Sequence, residues 1–201
     1  MKAMHKAMIA AVILLSACGP KPVKIVHPVA ASIRNASMIS DVEVALSPLA
    51  REVMDRFEAK AAEKRAEAGL PAADPSAEPT NVPDGQYDTL PFAQMFELVV
   101  KDVARDKGLT TGRPLRVKVE IDTLKTANAG MTILAGSSDQ LAGQVEIVDA
   151  QSGERLGEFY VDVINAHSGL LGLAMRGGGV REKLANEFAG HIVKQLTGKG
   201  K

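Results

Sequence analysis

Three short segments between Leu115 and Val163 restrict this chain more than any other feature of its sequence. Leu115, Val117, Val119 and Ile121 alternate with Arg116, Lys118, Glu120 and Asp122, the two-residue period of a strand with one dry and one wet face. Val145 and Ile147 alternate in the same way with Gln144 and Glu146, and Phe159, Val161 and Val163 with Glu158, Tyr160 and Asp162. Between the last two segments, Asp149-Ala-Gln-Ser-Gly153 carries turn chemistry, with Gly153 free to take positive φ. The pattern predicts an antiparallel meander whose apolar face needs a cover.

Helices supply that cover. Phe92, Met95, Phe96, Val99, Val100 and Val103 give the strongest helical periodicity in the chain and predict a helix from about Pro91 to Lys107. An earlier helix is expected to start at Ser47-Pro48, an N-cap followed by a first-turn proline, with Leu49, Val53, Phe57 and Ala61 as its apolar stripe. A closing helix from about Val180 to Leu196 presents Leu184, Phe188 and Ile192. Val42, Val44 and Leu46 form one more strand ahead of the helices. The order β-α-α-β-β-β-α predicts an α+β fold, a two-layer sandwich with a mainly antiparallel four-stranded sheet and helices on one face.

The N-terminus reads as a targeting segment. Lys2 and Lys6 form a basic region, and Met8 to Leu15 is an apolar run too short for a permanent membrane span. The run ends in Leu15-Ser16-Ala17-Cys18, which resembles the lipobox of bacterial lipoproteins. That resemblance implies a signal peptide over residues 1–17, cleavage before Cys18, a diacylglyceryl group on its thiol and an acyl chain on its new amine. Gly19 stands where enterobacterial lipoproteins retained at the inner membrane carry Asp. The resemblance therefore implies the periplasmic face of the outer membrane rather than the inner membrane.

Residues 18–37 show no periodicity and contain Pro20, Pro22 and Pro28, so a flexible tether is expected there. The steps from Cys18 to Ile39 would reach roughly 70 Å fully extended. A single domain then spans 38–197. Pro71, Pro75, Pro79 and Pro83 mark an insertion at about 69–88, because too little chain precedes it to fold alone.

The stretch V-E-I-V-D-A-Q-S-G-E-R-L-G-E-F from Val145 to Phe159, followed by a Gly/Leu-rich loop and an amphipathic helix, resembles a family of uncharacterised Gram-negative lipoprotein domains. The likeness covers Val117 to Leu196, and no activity accompanies it.

Composition narrows the chemistry. Loss of Lys2 and Lys6 with the signal reduces 24 basic groups to 22 against 24 acidic ones, so no net positive field draws nucleic acid. Trp is absent and aromatics are few, which leaves no stacking platform for bases or sugars. Cys18 is the only cysteine, so neither an internal disulfide nor a thiolate metal cage is available. Of the four histidines, His27, His167 and His191 outlast the signal peptide, and no two of them have metal-ligand spacing. Gly172 to Gly178 precedes a helix and lies near Arg176 and Arg181, but it lacks the Lys and Ser/Thr that a phosphate loop requires. No metal, cofactor or catalytic residue is expected.

Two apolar, glycine-bearing loops are the remaining functional signal. Residues 127–141 contain Met131, Ile133 and Leu134, and residues 167–179 contain Leu170, Leu171, Leu173 and Met175. In an antiparallel meander both must leave the same end of the sheet. Either these side chains close the core, or they form an exposed contact surface. The expected function is binding, not catalysis: a protein held to the membrane through Cys18 that meets an envelope protein, or another copy of itself, through those loops. The alternative is a small hydrolase or ligand-binding enzyme with a site between the same loops.

Overall fold

The computed structural model describes residues 21–74, 87–126, 137–167 and 179–198. Their elements in order are strand β1 (Val23–His27), strand β2 (Ser37–Leu46), helix α1 (Pro48–Glu67), helix α2 (Phe92–Asp106), strands β3 (Arg113–Lys125), β4 (Ser137–Asp149) and β5 (Arg155–His167), and helix α3 (Val180–Leu196). Two 3-10 turns, Ala31–Ile33 and Tyr87–Thr89, complete the set.

The class is α+β, as expected, but the sheet differs from the four-stranded antiparallel one that the pattern predicted. It has five strands in the order β1-β5-β4-β3-β2. The two meander pairings are antiparallel, as expected, with Val117 opposite Ile147 and Val145 opposite Phe159. β2 and β3 pair in parallel because two helices intervene and return the chain to the same end of the sheet. The fifth strand, β1, lies within the stretch expected to be a tether. It pairs antiparallel with β5, Val23 opposite Val161 and Ile25 opposite Phe159, and shortens the free connection accordingly.

All three helices pack on the apolar face. Leu115, Val117, Val119, Ile121, Leu141, Val145, Ile147, Phe159, Val161 and Val163 are buried there. From α2 and α3 come Met95, Phe96, Val100, Leu184, Phe188 and Ile192, also buried. The Phe96 and Phe188 rings meet edge to face at 5.5 Å, and the Phe92 ring lies 5.5 Å from Phe96 at a tilt of 43°. Each such contact adds to area burial by about 0.5–1.5 kcal/mol.

Helix α1 begins as expected: the Ser47 hydroxyl accepts from Ala50 N–H at 3.2 Å and donates to the Asp122 carbonyl at 3.1 Å. Its stripe is rotated from the expected one. Ala50, Met54 and Ala61 are buried, Val53 and Phe57 pack beside them, and Leu49 is 77% exposed. Val53, Phe57 and Ala61 of the expected stripe do reach the core; Leu49 faces solvent because Ala50 and Met54, one position further on, take the contact side.

Two β-bulges reset strand parity. One between Ile39 and Asp41 lets both Ile39 and Val42 face the core, and one between Ile121 and Thr123 does the same for Ile121 and Leu124. Gly143 sits opposite the second bulge. A Cβ there would stand 2.3 Å from the Glu120 carbonyl oxygen, so only glycine fits. β4 starts at Ser137, earlier than expected. Leu141, placed at the end of a loop by sequence, is instead fully buried in that strand.

Candidate functional site

Every residue singled out from sequence for lipidation or partner contact lies outside the described residues: Cys18, Met131, Ile133, Leu134, Leu170, Leu171, Leu173 and Met175. What the structure does place is the strand ends from which those segments depart. Lys125 is opposite Gln140, and Ser137 is opposite His167. The end of β3, the start of β4 and the end of β5 therefore share one end of the sheet.

The opposite end is closed by the β4–β5 hairpin. Asp149 is buried there, and its Oδ1 accepts from Gln151 N–H at 2.9 Å, Ser152 N–H at 2.6 Å and the Ser152 hydroxyl at 3.0 Å. Its Oδ2 is paired with the Arg113 guanidinium, which also donates to Glu154. The Ser152 amide first, and Arg113 second, hold the Asp149 carboxyl well below the usual carboxylate range. Gly153 takes φ 74° to close the turn. At Gly157 a Cβ would lie 2.8 Å from Val29 Cγ2, so a glycine there lets the chain after β1 pack directly on β5. The Val145–Phe159 stretch is thus a hairpin whose distinctive residues each have a folding task.

The depressed carboxyl has a testable sign. A group with a lowered folded-state pKa contributes stability above its unfolded value of about 3.9, and that contribution disappears as pH falls through the folded-state value. Asp149→Asn is therefore expected to be less stable than wild type at pH 7, with the difference shrinking as pH falls below about 4. Denaturation midpoints of both proteins at pH 7 and pH 3 check this; a constant difference would contradict it.

The uncovered sheet face is polar and internally paired. Arg116 Nε is 2.7 Å from Asp41 Oδ2, and its Nη1 is 3.2 Å from Glu43 Oε1. Arg155 bridges Glu146 at 2.7 Å and Glu158 at 2.8 Å. Gln144 donates to Glu158, and His27 Nε2 lies 3.6 Å from the same carboxylate. The Tyr160 hydroxyl donates to Asp122 at 2.9 Å; desolvation, followed by that carboxylate, pushes its pKa up to about 12. Of these residues, Glu43, Gln144, Glu146, Arg155 and Glu158 line a shallow cleft of about 530 Å³. Cross-strand pairs of this kind stabilise sheets, and here each arginine is matched by carboxylates.

A second cleft of about 680 Å³ lies between α1, the end of β2 and the start of α2. Val44, Leu46, Met54, Ala61, Leu70 and Phe92 form its apolar walls. On its margin Glu58 Oε1 accepts from Phe92 N–H at 2.6 Å, a carboxylate capping α2 where Pro91 offers no side-chain cap. Sequence reasoning missed this cap because its partners are 34 residues apart.

The other singled-out groups have structural surroundings. Arg181 is buried and donates to the Tyr87 carbonyl at 3.0 Å, with Glu182 3.3 Å away, so it ties α3 to the Tyr87–Thr89 turn. His191 is half-buried on α3, and burial, with Lys194 adding to it, pushes its pKa down. No cluster of three His, Cys, Asp or Glu suited to a metal occurs among the described residues. None of their helices is long and apolar enough to cross a membrane.

No protein-family model and no curated protein matches this sequence. Among solved structures, a DUF330 family protein from Xanthomonas campestris matches at 10% identity and a TM-score of 0.48, over 88% of this chain and 94% of that one. The PelC dodecamer from Paraburkholderia phytofirmans matches at 10% identity and a TM-score of 0.43, over 87% and 95%. A candidate lipoprotein from Caulobacter crescentus matches at 12% identity and a TM-score of 0.35, over 59% and 85%. At this degree of likeness none of them fixes what this chain does.

Proposed function

We propose that this protein is a lipid-anchored envelope protein, facing the periplasm from the outer membrane, that works by binding and carries out no chemical step. Its contact surface is formed by Met131, Ile133, Leu134, Leu170, Leu171, Leu173 and Met175, and its partner is another envelope protein or a second copy of the chain. The observation that supports this reading most is the register at one end of the sheet. Lys125, Ser137 and His167 stand together there, so two segments rich in large aliphatic residues are rooted side by side. Clusters of that size on a surface usually mark a protein or lipid contact.

Replacing Leu170, Leu171 and Leu173 together by Ser tests it. A contact surface predicts an unchanged unfolding midpoint and loss of partner capture or self-association. Side chains that close the core predict about 2–5 kcal/mol lost per buried leucine. Destabilisation with capture intact removes the binding role of these loops.

A further inference from the structure

The pairing of β1 sets the direction in which the chain approaches the sheet. Val23 is opposite Val161, and Asp162 N–H donates to the Pro22 carbonyl at 2.8 Å. Upstream of β1, then, the chain comes from the side of Asp162 and Ile164, toward the end of β5 at His167. Cys18 precedes Pro22 by only four residues, a span of at most about 14 Å even when fully extended. The β4–β5 hairpin lies at the other end of β5. That strand has thirteen residues, and at about 3.4 Å per residue the two ends are roughly 40 Å apart.

Five large apolar side chains are exposed among the described residues, and one of them, Ile164, lies toward that end of β5, on the opposite face from buried Val163. Ile25 and Val26 on β1 are also exposed, but they stand level with Phe159 and Glu158, nearer the hairpin. Lys21 is exposed one residue before Pro22, a cation of the sign that anionic headgroups attract.

We propose that the end of the sheet where β5 finishes faces the lipid bilayer, with Ile164 and Lys21 nearest the headgroups and the Asp149–Glu154 hairpin pointing away. The proposal rests on lipidation at Cys18, which brings the membrane within a few residues of β1. It makes the body of the protein a fixed projection from the membrane, where a long tether would have let it swing.

The test uses the full lipidated chain in vesicles of phosphatidylethanolamine and phosphatidylglycerol. Cys18 is the only cysteine, and acylation converts its thiol to a thioether, so an added cysteine carries the only free thiol. A fluorophore is attached in Ile164→Cys, Lys21→Cys or Gln151→Cys, and quenching by a headgroup-labelled lipid is measured. Quenching several-fold stronger at positions 164 and 21 than at position 151 is expected. Equal quenching, or the reverse order, in protein that floats with the vesicles overturns the proposed orientation alone. Protein that fails to float overturns the lipid anchor, and the orientation falls with it.

Discussion

Cys18→Ser is expected to abolish lipid attachment completely. A single myristoyl chain binds a bilayer with a constant of only ~10⁴ M⁻¹, and each further buried CH₂ adds about 0.8 kcal/mol. A diacylglyceryl group with an added acyl chain therefore holds a protein far beyond ordinary dissociation, and removing the only acylation site removes all of it. None of the described helices compensates by spanning the bilayer. Flotation and the intact mass of membrane-extracted protein give the readout. Wild type should begin at Cys18 and carry lipid, whereas the variant should persist as precursor or as an unlipidated chain. A mature wild-type mass that fits cleavage elsewhere, with no lipid, would contradict the anchor outright.

The largest loss of folding stability is expected from Phe96→Ala. Phe96 is completely buried on α2, beside the Phe92 and Phe188 rings, where α2 and α3 meet above the sheet. Truncating a buried phenylalanine costs about 3–5 kcal/mol, from lost transfer energy and from the cavity that rigid neighbours leave unfilled. Typical domains are stable by only 5–15 kcal/mol, so this one change consumes a large share. Leu49→Ala provides the contrast. Leu49 looks like a core residue in sequence but is 77% exposed, and its loss should change stability by less than about 0.5 kcal/mol. Chemical denaturation of the two variants against wild type measures both; equal losses would mean that the packing of α1 and α2 is misassigned.

The pair Leu49 and Phe96 also shows how far the sequence can be read. Phe96 belongs to a helix with many large apolar residues at regular spacing, and such a stripe has only one way to face a sheet. Helix α1 buries Ala50, Met54 and Ala61, so its contact side lies one position round from Leu49, and the small Ala50 gave no sign of it. The meander was legible because alternation persists through β3, β4 and β5. β1 was not, since its five residues carry no alternating burial and prolines flank it. Edge strands tolerate prolines at their ends, where no ladder hydrogen bond is lost. The bulges were hidden for a different reason: each is defined by a neighbouring strand, and Gly143 makes sense only beside the Glu120 carbonyl.

For the candidate site, the sequence spoke against a phosphate loop but gave Arg181 no role. The glycine stretch before α3 lacks phosphate-loop residues, and Arg181 turns out to brace the fold. Long-range pairs such as Glu58 with Phe92 N–H could not be found from spacing, because nothing local encodes them.

The position of β1 has a consequence for how the protein is made. It is the first strand to be synthesised, yet its one partner in the sheet, β5, is the last strand to follow. Contacts between residues so far apart in sequence form late and slowly, since a large loop must close before any hydrogen bond rewards it. The segment nearest Cys18 therefore stays unpaired until nearly the whole chain has appeared. The connection between Cys18 and the folded body hardens only after the other four strands can assemble without it.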